Sequence, residues 1–481
     1  MKVFVRYFLI VILLLIGLFA LGILYLFFVP GSSLFGITYI SYSDNYNSEA
    51  YDASNISTIR LNSRAYDVFV VPASSEEISV RVYANSLGFV LNKNSKVDIE
   101  EDVENGELTF NISEPHGAAV INDSFIQLRI PTTKAFNIIL NNGSALTSIS
   151  NTSLQINNLI YETTSGDFSF TGGTLLGYID ATIGRADFVI GANAGVNNND
   201  VYLSATSGYF EAQSSTLGNV QIESNKNAVI IINSCLNIDE DQSEAGGRIQ
   251  VNTVSQVDIT AADTNVYIGS LTDGGTIRMT KSGKIEISNV LAETDLFTNT
   301  GDITINESKG PISLTTEDGS IQVNSAYLRV QTNTNYGDVN IKFNEEAESY
   351  KDNPNARMLM STTNNGKISA SGVENVYITI NDNGRAEISM RDVFGENVVN
   401  GKRGSVSLVI NRYSEYRLHT LTNSGNVSVN LMQIAGTGTG GYTDKERTEY
   451  INCTISTFSA TLEVTTTTGS LYIRDEELID Y

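Results

Sequence analysis

The residues best placed to do chemistry are charged ones that alternate with apolar ones after a recurring glycine: Asp167, Arg185, Asp187, Lys284, Glu286, Asp302, Asp338, Lys367, Arg385 and Glu387. Gathered on the outer face of stacked strands, Asp, Glu, Lys and Arg could attack a polysaccharide, since paired carboxylates perform acid–base cleavage of glycosidic bonds. Register would set Lys284 over Asp302 and Lys367 over Arg385. Charges on adjacent strands serve equally as cross-strand pairs contributing about 0.2–1 kcal/mol each. The charged row is therefore first of all a solvent face, and no residue is assigned a catalytic role.

Other reactive types are sparse. His116 and His419 are the two histidines, too few for a His-centred cluster, and His419 beside Leu418 reads as a surface or packed strand residue. Cys235 and Cys453 lie 218 residues apart, about ten coils along a stack. A disulfide needs Cα atoms within about 7 Å, so two inert thiols are expected. Gly436-Thr-Gly-Thr-Gly-Gly has the look of a phosphate loop, but no lysine follows and its surroundings are β. No cofactor and no metal site is expected. With 30 basic and 54 acidic residues, a formal net charge of −24 argues against a nucleic-acid partner.

The element that must position all these groups is a repeat. Gly283, Gly301, Gly319 and Gly337 recur every 18 residues, each opening a phrase such as Gly301-Asp-Ile-Thr-Ile. The same corner stands at Gly166, Gly184, Gly208, Gly247, Gly366, Gly384, Gly404, Gly425 and Gly469, with degenerate versions at Asn227 and Asn265. Apolar residues two and four after each glycine, with polar ones between, make a half-buried strand. Glycine there suits a tight corner that often needs positive φ. A weaker second strand precedes each corner. A fixed period of this size means stacked coils, and the fold expected is all-β: a parallel β-helix, or β-solenoid, of about 18 residues per coil. An ordinary β-sandwich needs turns every 8–12 residues and no preserved phase, so it fits less well.

Spacing breaks mark inserts at Gly191–Asp200, Asn237–Gly246, Phe343–Ala356 and Ala435–Glu449. Inserts at one phase of a solenoid emerge on one side, so a lateral ridge of binding loops is expected. Irregular strands between Ile56 and Pro131 suggest a cap, with the first coil near Phe136. At the N-terminus, residues 7–29 carry no charge and are long enough to span a bilayer. Lys2 and Arg6 precede this stretch, placing residues 1–6 in the cytoplasm and the rest outside. A cleaved signal peptide would have a shorter apolar core and a small-residue cleavage site, which Leu26-Phe-Phe-Val-Pro does not offer. The organisation expected is a cytoplasmic stub at 1–6, a transmembrane signal anchor at 7–29, a spacer at 30–53, a β-rich cap at 54–134, a β-helix at 135–475 and an acidic tail at 476–481.

The residues Ile130-Pro-Thr-Thr, Phe136-Asn-Ile-Ile-Leu and Glu162-Thr-Thr-Ser-Gly-Asp-Phe, with its 18-residue successors, resemble the bacterial putative-adhesin family; auto-transporter adhesin head domains are a looser likeness. The resemblance covers 56–473 and implies a membrane-tethered, extracytoplasmic β-helix with an adhesive or cell-envelope role. It brings no catalytic residues. It implies a single-pass plasma-membrane protein whose partners are the lipid bilayer, through 7–29, and an extracellular protein or glycan. A polysaccharide-binding or polysaccharide-cleaving β-helix and a structural spacer or envelope-stress component are the alternatives.

Overall fold

The computed structural model describes residues 2–29, 33–34, 37–91, 97–113, 119–122, 124–196, 198–224, 229–422, 424–431, 448–452 and 460–476. His116, Asn227, Cys453, the Gly436 segment and the tail beyond 476 lie outside them. The chain divides into two units, Met1–Gly218 and Asn219–Tyr481. Both are built from parallel coils, as the repeat requires.

The N-terminal unit begins with the helix Lys2–Phe28, whose window Tyr7–Tyr25 has a mean hydropathy of 3.0 and no burial against the rest of the protein. The first parallel coil is Thr58–Ser63 with Asp67–Pro72, inside the stretch expected to be a cap. Phe136–Asn142 and Thr147–Ile149 stack on one side of it. Glu107–Ser113 and Phe125–Ile130 stack on the other. The chain thus starts in the second layer, builds the first, then crosses to the third. An end layer has unpaired strand edges that invite foreign strands. Here Asp98–Glu104 pairs antiparallel with Glu107–Ser113, and Glu77–Leu91 pairs antiparallel with Phe125–Ile130, closing both edges. Glu77–Leu91 also extends into a long ribbon with Ile37–Asn47, from Ile37 opposite Leu91 to Asn47 opposite Arg81.

The C-terminal unit inverts its layers at the opposite end of the sequence. Thr461–Thr466 and Leu471–Glu476 stack directly on Glu396–Gly401 and Val406–Asn411. The earlier strands Tyr416–Thr422 and Val427–Asn430 lie on the far side of that last coil. Gly425 and Gly469 are therefore out of chain order in the stack. The 44 residues between them are not two coils plus an insert but an outward step and a return. Thr448–Asn452 then pairs antiparallel with Tyr416–Thr422 and covers its edge.

The corners show why glycine is used. Along the C-terminal stack each corner glycine lies on the previous one: a Cβ on Gly301, Gly319, Gly337, Gly366 or Gly404 would overlap the carbonyl oxygen of Gly283, Gly301, Gly319, Gly337 or Gly384. Among these stacked corners only Gly283 has positive φ, at +150°. Close approach of coil to coil selects glycine here, and the expected need for positive φ is corrected. Three residues before many of these glycines stands a buried threonine. Thr298 and Thr316 donate to the carbonyls of Gly283 and Gly301 at 3.1 Å, while Thr363 and Thr422 accept from the N–H groups of Gly366 and Gly425 at 2.9 and 3.1 Å. These hydroxyls supply hydrogen bonds at corners where the ladder is interrupted, which a buried polar side chain must do to be tolerated.

Candidate functional site

The outward charged residues were the first candidates for chemistry, and their geometry is structural. The Oδ1 atom of Asp302 accepts the backbone N–H of Ser320 at 2.8 Å, and that of Asp338 accepts Lys367 N–H at 2.8 Å. Asp167 does the same for Asp187 at 3.0 Å, and Asn265 for Lys284 at 2.9 Å. The residue after the corner thus clamps the start of the next coil. Burial, reinforced by the Asp167 charge, raises the Asp187 carboxyl above the usual range. Lys284 and Asp302 immediately precede the register pair Ile285 and Ile303, but the Lys284 Nζ reaches Glu286 Oε2 in its own strand at 2.7 Å. Lys367 lies beside Arg385 in register, and both turn to Glu387, at 2.5 and 3.9 Å. No group of three or more His, Cys, Asp or Glu among the described residues could hold a metal.

The Phe343–Ala356 insert is fastened down rather than projecting as a free binding loop. Just beyond it, Arg357 is buried, with φ +49°, and its Nε lies 3.4 Å from Oε1 of buried Glu374. Its guanidinium also donates to the carbonyls of Glu345, Ala347 and Gly372. Oε2 of Glu374 accepts from Ser349 Oγ at 2.6 Å and Tyr350 N–H at 2.8 Å. Carbonyls of Glu345 and Ala347, the Ser349 hydroxyl and the Tyr350 N–H thus tie the insert to that pair, the kind of hydrogen bonding a buried ion pair demands. In the Gly191–Asp200 insert Ala194 and Val196 are buried, and Gly195 bridges to Thr174. Asn237–Gly246 lies within the extended stretch Val229–Ser282, which covers several coil segments, and most of Ala435–Glu449 is outside the described residues. The expected lateral ridge therefore has no free loop among the described inserts.

Two depressions occur on the outer strand faces of the C-terminal unit. One, of about 220 Å³, is lined by Glu396, Arg417, His419 and Glu463, brought side by side because the last coil inserts between older ones. Sequence reasoning missed this cluster, since 44 positions of chain separate His419 from Glu463. The other is a groove of about 480 Å³ spanning the strands after Gly319, Gly337, Gly366, Gly384, Gly404 and Gly469. Its floor is short: Ser369, Ser371, Ser389 and Ser407, with Asn340, Lys342, Glu387 and Arg474 around them. A signal for it existed, namely serine at outward positions in successive coils.

Cys235 is buried, and burial pushes its thiol up to about 12, so it is inert at neutral pH as expected. Tyr51 is pushed up to about 12 by the carboxylate of Glu101, which accepts its hydroxyl at 2.5 Å.

A family model described as Toastrack DUF4097 matches residues 56–372. No curated protein matches the chain. Among solved structures, a putative cell adhesion protein from Clostridium sporogenes ATCC 15579 is similar at 9% identity over 90% of this chain and 100% of its own, with a TM-score of 0.15. A putative adhesin from Bacteroides fragilis NCTC 9343 is similar at 11% identity over 61% of this chain and 98% of its own, with a TM-score of 0.17. The looser likeness to auto-transporter adhesin heads has no counterpart among these similarities.

Proposed function

This chain belongs to the Toastrack DUF4097 family, and from that premise we propose that it is a non-catalytic β-solenoid, tethered to a membrane and displayed outside the cell as an adhesin-like or envelope-interaction scaffold. The observation that carries this reading is the use made of the outward acids. Asp302 and Asp338, the residues a polysaccharide-cleaving rival would need, spend an oxygen each on the backbone of the next coil. Each keeps its second oxygen, but that backbone bond gives the carboxylate a structural reason to stand at the corner. Support for the tether is the Tyr7–Tyr25 window, apolar and unburied, followed by a β-rich region whose acidic charge keeps it in water. The basic pair Lys2 and Arg6 favours a cytoplasmic N-terminus, single-pass, with the solenoid outside.

The test is topology together with binding. A C-terminal epitope on the full chain should be reached by antibody on intact cells, and cells carrying the chain should bind a surface that cells without it do not. An epitope reached only after permeabilisation would remove the surface reading. Polysaccharide cleavage by the full chain, lost on Asp302→Ala, would overturn the non-catalytic one.

A further inference from the structure

We propose that the 480 Å³ groove of the C-terminal unit is a binding site for an extended acidic oligosaccharide. Elsewhere on this sheet outward polar groups satisfy one another: Asn252 donates to Asn233 at 3.1 Å, Arg248 to Gln250 at 2.7 Å, and Lys284 to Glu286 at 2.7 Å. The groove's first edge still does so, Gln322 donating to Asn324 at 2.7 Å. Along its floor this stops. The side chains of Asn340, Ser369, Ser371, Ser389 and Ser407 make no hydrogen bond to other described residues, and Lys342 has neither a hydrogen bond nor an ion pair among them. A depression that leaves donors and acceptors turned to solvent is the reverse of what the neighbouring coils do.

Register places these groups in a line. Lys342 lies beside Ser371, Ser371 beside Ser389, Ser389 beside Val409, and Val409 beside Arg474. A parallel row holds Asn340, Ser369, Glu387 and Ser407. Four strand steps separate the two cations, about 19 Å at the usual strand spacing. Hydroxyls and a carboxamide between two cations suit a chain of sugar rings whose hydroxyls need both donors and acceptors and whose acid groups need counter-charge. The carboxylate in the groove, Glu387, is already neutralised by Lys367 at 2.5 Å. Arg474 is held by Glu476 at 3.0 Å, but both side chains are largely exposed, and such pairs exchange at little cost. An extended peptide is the weaker fit, because peptides add to sheet edges through the backbone, and this is a sheet face whose backbone groups already join coil to coil.

The assignment goes beyond the scaffold reading by naming a ligand class. It is tested by titrating the full chain in detergent with a short oligogalacturonate, against a neutral malto-oligosaccharide and polyglutamate. Binding should be saturable and weakened by salt. It should fall about tenfold in Lys342→Ala and be lost in Ser389→Phe, which fills the floor from the solvent side. Lys284→Ala, on the same sheet but paired elsewhere, should leave it unchanged. No uronate binding by the folded chain, unchanged binding in Ser389→Phe, equal binding of the neutral sugar, or polyglutamate binding as tightly as the uronate would each overturn the proposal. Any of these with the epitope still exposed on intact cells leaves the surface scaffold standing, whereas an epitope hidden inside the cell removes that reading whatever the titration shows.

Discussion

The two units solve one packing problem at two coil sizes. In the N-terminal unit Leu159 pairs with Ile179 and Ile179 with Val201, steps of 20 and 22 residues. In the C-terminal unit Ile285 pairs with Ile303 and Ile303 with Ile321, steps of 18. A longer coil encloses a wider column, and protein interiors tolerate no void. The wide coils accordingly fill with aromatics: Phe168 and Phe188 stack at 4.6 Å, Phe188 and Phe210 lie at 5.8 Å, and Tyr161 packs on Phe168 at 4.7 Å. The narrow coils fill with Ile287, Ile305 and Val323, and spend the tighter circumference on glycine-on-glycine corners. Coil length thus decides the filler, and the filler can be used to break the relation.

The largest effect expected is for Phe188→Ala, which should cost about 3–5 kcal/mol by opening a void in the wide column. Ile305→Val, a single methyl in the narrow column, should cost about 0.5–1.5 kcal/mol. Denaturant unfolding followed by probes in each unit would measure both. A Phe188→Ala cost no greater than that of Ile305→Val would mean that the wide column is not filled by its aromatics.

Next comes Gly337→Ala. A methyl there overlaps the carbonyl oxygen of Gly319, and backbone cannot turn away as a side chain can. Overpacking of this kind costs about 1–3 kcal/mol or more. Its φ lies outside the left-handed region, so the penalty measures coil-to-coil approach and not backbone conformation. Full stability in Gly337→Ala would show that neighbouring coils can part.

The repeat, its alternation and the apolar N-terminal helix were all legible in the sequence, because each is a local pattern with a fixed period. The layer order was not. Leu462 and Val464 carry the same alternation as Leu418 and Thr420, so nothing local says which pair stacks on Val399. Only the total edge protection of the finished stack decides that, and it puts the last coil inside and covers the outer strand with Thr448–Asn452. Arg357 was equally hidden, since an arginine reads as surface until Glu374 and three backbone carbonyls are seen around it. The groove was half visible: charged outward residues signal chemistry by type, whereas Ser369, Ser389 and Ser407 contribute by being small and unpaired.

A smaller effect separates the units by pH. Burial raises Cys235, in the C-terminal unit, from 9.0 to about 12. Above pH 9 the unfolded chain releases that thiol proton while the folded one keeps it, so stability is complete below pH 9 and declines as pH rises toward 12. At pH 10 the loss is about 1.4 kcal/mol. Cys235→Ala should remove that slope between pH 9 and 10 without altering the N-terminal unit's alkaline behaviour, where the raised groups include Tyr51, Tyr161, Tyr202 and Tyr209 and decline starts nearer pH 10. An unchanged slope would mean the thiol is solvated.

The smallest effect is the most discriminating, because it concerns a bond found in both units. Thr316 donates to the carbonyl of the preceding corner, Gly301, at 3.1 Å, and Thr163 donates to that of Gly143 at 3.3 Å. Valine keeps the shape and removes the hydroxyl, so each Thr→Val change should cost about 1 kcal/mol, the net worth of one buried hydrogen bond. The next two wide coils carry Ala181 and Ala205 three residues before Gly184 and Gly208, beside Phe188 and Phe210. Equal losses in Thr163→Val and Thr316→Val would show that the corner bond is independent of coil width. A loss confined to Thr316→Val would show that the wide coil already holds its corner by packing, and that coil size governs the corners as well as the core.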